Sequence, residues 1–208
     1  MSFNRILPFI LIGVLLVVLS YHYGGAILKI LIPMYQWAIQ QFEYRFDHVL
    51  LAMQQVKGAN YLLINVSLSH AFYANGELLE PVQAIYNTAG MPLGNVMHPL
   101  VMILTIVFAW PASQWIVYAY RTFLAMPFIL IIMLLDMPIQ LIYASWQGLD
   151  RTLNLSIANT SWYGFWSDFL NGGGLIALSI ACGLVIISLT DYLVGLQNVP
   201  DYIEQPRV

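Results

Sequence analysis

Asp136 stands inside a long apolar run, between Leu134-Leu135 and Met137-Pro138. A carboxylate in hydrocarbon costs about 2.5 to 3.5 kcal/mol on insertion scales, so a residue of this kind asks for a partner or a function. Counting along their helices places His22 and His98 toward the same interface as Asp136. Two imidazoles and one carboxylate form a donor set that suits zinc, copper or iron, or a proton relay. The plainer alternative is that Asp136 hydrogen-bonds a backbone group freed by Pro138 while the histidines sit separately at the interface. Beyond this metal set no cofactor is expected. Cys182, the single cysteine, falls mid-way along the last apolar block with no Arg or His in the same helix, a setting that disfavours a thiolate and predicts packing. Asp191, near the end of that block, is expected to reach the interface. No Gly-x-Ser-x-Gly elbow, His-Glu-x-x-His pair, phosphate loop or dinucleotide glycine pattern occurs.

The elements that would position these groups are membrane helices. The 208 residues are 60% hydrophobic and only 8% charged, far from an ordinary soluble composition. A bilayer core of about 30 Å takes about 20 apolar residues per helix. Residues 1–33 read as a first, retained helix, with Lys29 snorkelling and Gly24-Gly25 allowing a bend or a close helix contact. His22 lies about 25 Å along it from Arg5, near the far interface. Residues 98–146 are long enough for two antiparallel crossings, folded back at Tyr120-Arg121, and residues 172–198 form the last span. The expected fold class is therefore mainly α, a polytopic membrane protein with about four transmembrane helices. The net charge of −3 and the absence of a basic cluster exclude nucleic acid as a partner. The lipid bilayer and other membrane proteins are the expected partners.

Between the first two spans, residues 34–97 predict a small extramembrane unit. From Tyr35 to Val56 apolar residues recur at three- and four-residue spacing, the pattern of an amphipathic helix, with Lys57-Gly58 as its stop. Leu62, Ile64, Val66, Leu68 and Phe72 then line one face of a strand, and Asn75-Gly76 suits a hairpin turn. Pro81 weakens the return strand and favours an edge, so these five residues are the expected partner-binding face, by strand addition. Residues 147–171 carry Trp162, Tyr163, Phe165 and Trp166, an aromatic interfacial segment, and residues 199–208 form a short polar tail. Arg5, Arg121 and Arg207 fall on one side, Lys29, Arg45, Lys57 and Arg151 on the other. Weighting short loops and span ends predicts cytoplasmic termini.

Ala109-Trp110-Pro111, Arg121, Pro127, Asp136-Met137-Pro138 and the run from Trp166 to Gly174 resemble small bacterial membrane proteins that accompany exosortase systems. The resemblance covers mainly residues 98–180. It implies an accessory role in envelope sorting at the inner membrane and no catalytic residues; the exosortase peptidase itself is not what the chain resembles. Two functional expectations result. The first is a non-catalytic accessory or assembly subunit of a membrane complex, touching its partner through the extracytoplasmic segment. The second is a metal- or proton-handling subunit of a membrane oxidoreductase or other membrane enzyme, using His22, His98 and Asp136.

Overall fold

The structure is a computed structural model, and it describes residues 3–56, 58–74, 77–79, 85–112, 114–153 and 157–197. The first helix, α1, runs unbroken over Phe3–Phe42 with Pro33 inside it. The expected end near Pro33 is thus corrected: the helix passes through, as prolines permit where neighbouring elements serve the freed carbonyl. At 1.5 Å per residue α1 is about 60 Å long, roughly twice a bilayer core. Its two halves therefore meet different surroundings. From Leu7 to Leu19 most side chains are exposed, whereas Leu28, Leu31, Tyr35, Ala38 and Ile39 are buried at one-turn spacing.

The predicted amphipathic helix is half right. Its first part completes α1, but His48–Val56 is a strand, β1. Apolar residues in a short run satisfy either period, and burial decides here: Val49 and Leu51 are buried while His48, Leu50 and Ala52 are exposed. Gly58 then has a φ of +83°, which makes it a turn residue and not a helix stop. β2 (Ala59–Leu68) pairs antiparallel with β1, Val49 opposite Val66 and Leu51 opposite Ile64. On its other side it pairs antiparallel with β5 (Ile85–Pro92), Ile64 opposite Ala89. β2 is consequently the central strand of a three-stranded sheet, not an edge. β3 (Phe72–Ala74) and β4 (Glu77–Leu79) form a small antiparallel ladder; Asn75-Gly76 and Pro81 lie outside the described residues.

β5 leads directly into α2 (Leu93–Ala109), and α3 follows as Trp115–Leu153. The two helices fold back at residues 110–114, where Pro111 ends the first, so Tyr120 and Arg121 belong to α3 and not to a turn. The Arg121 guanidinium is 1% exposed and donates to the Trp110 carbonyl at 2.8 Å and to Asp191 Oδ1 at 3.0 Å. It ties the end of α2 to α3 and to the last helix, which carries Asp191. α3 continues past Trp146 and is followed by α4 (Ile157–Thr160) and α5 (Trp162–Phe169). The Asp150 carboxylate accepts from the backbone N–H groups of Ile157 and Ala158 at 3.1 and 2.7 Å, satisfying donors at the start of α4. A kink at Gly173, φ +108°, joins α5 to α6 (Leu175–Gln197).

The first half of α1, α2, the first half of α3, and α6 make a helical bundle. Gly13 faces Thr105, and Gly24 lets α1 approach Leu93 and Met97 closely. Beyond α2 the second halves of α1 and α3 run on beneath one face of the sheet, α1 against β1 and α3 against β5. Leu62, Ile64, Val66 and Leu68 point inward to join Leu28, Tyr35, Ile39, Met137 and Leu141 in one core. Three helices, Leu7–Phe42, Trp115–Leu153 and Trp162–Gly195, are long and apolar enough to cross a membrane, and α2 is a shorter apolar helix.

Candidate functional site

The polar chemistry of the sheet layer gathers on residues 43–47, the connector from α1 to β1. Glu43 closes α1, its N–H donating to the Ile39 carbonyl at 2.8 Å. The side chain then turns inward and is 1% exposed. Its carboxylate accepts two parallel bonds from Arg45, Nε to Oε1 at 2.7 Å and Nη2 to Oε2 at 2.6 Å, plus the Arg45 backbone N–H at 3.2 Å. Trp146 Nε1 supplies another at 2.8 Å. A bidentate, multiply bonded carboxylate is the geometry that makes a buried charge tolerable. Burial lowers the pKa of Arg45, but the adjacent carboxylate outweighs it and holds the guanidinium above its ordinary value.

Trp146 is the hub of this corner. The Arg45 guanidinium lies 4.5 Å over its ring, Phe46 stacks on it at 5.4 Å and Phe72 tilts against it at 5.9 Å. Tyr163 of α5 donates to the Phe42 carbonyl at 2.5 Å, closing the corner from the third side. Four separate segments are joined here: residues 42–46, β3, α3 and α5.

Next to it, the Asp47 carboxylate accepts from the Ser69 backbone N–H, from the Ser69 hydroxyl at 2.7 Å and from His70 Nδ1. Partial burial raises its pKa, but these hydrogen bonds win and hold it at about 2. Ser, His and Asp together suggest a nucleophilic triad, and the connectivity rules against it. In a triad the hydroxyl meets the imidazole nitrogen remote from the carboxylate; here Ser69 donates to Asp47 itself. The arrangement is a turn lock that fixes the imidazole through Nδ1. Around it Tyr44 is 87% exposed, Tyr73 70% and the His70 side chain 83%.

The residues singled out from sequence are dispersed. His22 is exposed on α1, edge-on to Tyr21, and His98 is half-buried near the start of α2. Asp136 is buried on α3, its Oδ1 accepting from Gln140 Nε2 at 2.6 Å. Its partner is thus a side chain one turn along, not a backbone group at Pro138. Among the described residues no three His, Cys, Asp or Glu side chains come together as a metal-binding group, so His22, His98 and Asp136 do not form the expected set. The expected partner-binding face is also corrected. Leu62, Ile64 and Leu68 are 0% exposed, Val66 2% and Phe72 6%, because β2 has strands on both sides and helices beneath it. Cys182 is partly buried and packs against the core.

Glu43, Arg45, Asp47 and Trp146 escaped sequence reasoning. The signal was alternation of charge in Glu43-x-Arg45-x-Asp47 just where an apolar helix ends; nothing in the sequence pointed to Trp146, 103 residues further on.

By fold the chain is a mainly helical protein with three helices long and apolar enough to span a membrane, bearing a small antiparallel sheet. Comparison with family models, with curated proteins and with solved structures finds no match.

Proposed function

We propose that the chain is an integral protein of a bacterial inner membrane, with four crossings and cytoplasmic termini, that serves as a non-catalytic accessory or assembly subunit of a larger membrane complex in the cell envelope. Its extracytoplasmic segment, residues 34–97, touches the partner. The observation that supports this reading is the corner at residues 43–47: exposed Tyr44, His70 and Tyr73 surround a rigid anchor of Glu43, Arg45 and Trp146. Tyrosines held on a stiff support present large contact area with little ordering entropy left to lose, as interface hot spots do. The resemblance to exosortase-associated proteins agrees with such a role. Purification from native membranes in mild detergent, followed by mass spectrometry, tests it. Tyr44→Ala with Tyr73→Ala should release a partner retained by the unaltered protein. Retention of the same partner by a folded variant would sink the proposal.

One observation favours the second reading, a metal- or proton-handling subunit. Asp136 Oδ2 and the Tyr35 hydroxyl are buried without a hydrogen-bond partner among the described residues, on neighbouring helices. Stoichiometric metal in the purified protein, lost in Asp136→Ala, would shift the preference to it.

A further inference from the structure

The sheet has one open edge. β1 is the outer strand in the order β1-β2-β5, and among the described residues no other strand or loop bonds to its free side. Its pairing with β2 is one-to-one over all nine residues, so no bulge turns the edge away. Nor does His48–Val56 carry a lysine, an arginine, a carboxylate or a proline. Those are the devices by which an edge strand avoids pairing with another chain. β5, at the opposite edge, contains Gly90 and ends on Pro92, which has no N–H to offer a ladder.

β1 runs back along α1. Met53 meets α1 at Gly25, and the turn after β1, Gly58 to Asn60, lines a small cavity with Val17, Ser20 and Tyr21. Lys29, Ile32 and Gln36 follow Gly25 at spacings that keep them on its face of the helix, with exposed Gln40 one turn further on. A strand added beyond β1 would lie over this strip, which holds a cation and no anion. Residues 20–42 and all of β1 contain no Asp or Glu, and exposed Lys29 makes no ion pair among the described residues. Glu43 and Asp47, the next carboxylates along the chain, are engaged by Arg45 and by Ser69 and His70.

We propose that the β1 edge receives an extended acidic segment of a different protein. The segment adds a fourth strand whose carboxylates face Lys29, Gln36 and Gln40, while its alternate, apolar side chains lie beside Leu50, 63% exposed. The proposal rests on the accessory-subunit reading and names what the partner offers. A second copy of this chain does not fit. Because β1 follows α1, pairing it antiparallel with its own copy would invert one molecule in the membrane. Copies inserted in the same sense have parallel β1 strands, and a two-fold axis then sets N–H level with N–H, without the offset of a parallel ladder. Lipid does not fit either, since unpaired backbone groups are not tolerated in hydrocarbon.

The test uses the full chain in lipid nanodiscs and fluorescent peptides of the length of β1 that alternate valine with glutamate or valine with lysine. By anisotropy at low salt, the Val-Glu peptide should bind about tenfold more tightly than the Val-Lys peptide. Lys29→Glu, which leaves the backbone of β1 untouched, should reverse that order. Amide hydrogen exchange in the Val-Glu complex should slow across His48–Val56 and not across Ile85–Pro92. Equal affinities, an order that Lys29→Glu leaves unchanged, or protection confined to β5 overturns the proposal. So does a disulfide-linked dimer of Leu50→Cys in a Cys182→Ser background, which would put a second copy on the edge. The two readings fail differently. A chain purified from native membranes without any partner defeats the accessory role and this proposal with it, whereas a native partner whose binding leaves the β1 amides unprotected defeats the edge alone.

Discussion

Among the described residues two arginine–carboxylate pairs stand one at each end of the long helices, and they are built in opposite senses. At the bundle end the cation is buried and the anion is not: Arg121 is 1% exposed and Asp191 54%. At the sheet end the carboxylate is buried, Glu43 at 1%, beneath an arginine that is itself only 17% exposed. The difference lies in whether the surroundings can stand in for a lost partner. Water or a lipid phosphate can reach the place that Asp191 occupies; nothing comparable reaches Glu43.

The largest expected effect follows directly. Arg45→Ala leaves a buried carboxylate without its bidentate cationic partner, and should destabilise the protein by about 3 to 5 kcal/mol. Asp191→Ala, at a half-exposed position, should cost no more than about 1 kcal/mol. Denaturant titration in detergent, followed by tryptophan emission, compares the two. Equal losses would erase the distinction.

A smaller effect sharpens the contrast within the sheet itself. Leu51 is 8% exposed and Leu50 63%, so Leu51→Ala should cost about 2 to 5 kcal/mol and Leu50→Ala less than about 0.5 kcal/mol. The same titration reads both. Similar losses at the two positions would revive a helix through this segment.

The smallest effect is on acid stability. Asp47 is held at about 2, below its ordinary 3.8, so its contribution is complete above pH 3.8 and disappears as the pH falls through 2. Asp47→Asn should remove that part of the acid dependence and leave the neutral-pH slope unchanged. Thermal midpoints measured between about pH 5 and pH 2 follow it; an unaltered acid limb would show that the turn lock carries no stability.

Much of the framework was legible because membrane helices announce themselves by composition over long windows. The long apolar runs and the alternation from Leu62 to Leu68 both appear in the structure. Boundaries failed where local pattern was compatible with two answers. Phe46, Val49 and Met53 suit a helix as well as a strand, and pairing with β2 decided for the strand. Arg121 looked like a turn residue since charge inside an apolar run is costly; Asp191, seventy residues later, removes the penalty. The candidate site was hidden for the same reason. Glu43 and Arg45 are two residues apart and visible as a pair, but the side chain that makes them a site is remote in sequence.

That remoteness also sets an order of events. Glu43 is synthesised long before Trp146, and the bond between them spans 103 residues, including both helices that must turn back before α3 can return to the sheet. The corner therefore cannot close before α2 and α3 have formed and folded back, and until then the Glu43 carboxylate has Arg45 but not Trp146. Closing so long a loop is slow relative to forming a helix, which makes the stacking of Phe46 and Phe72 on Trp146 a late step. A corner assembled this late marks a chain in which α1, the sheet and α3 have already come together.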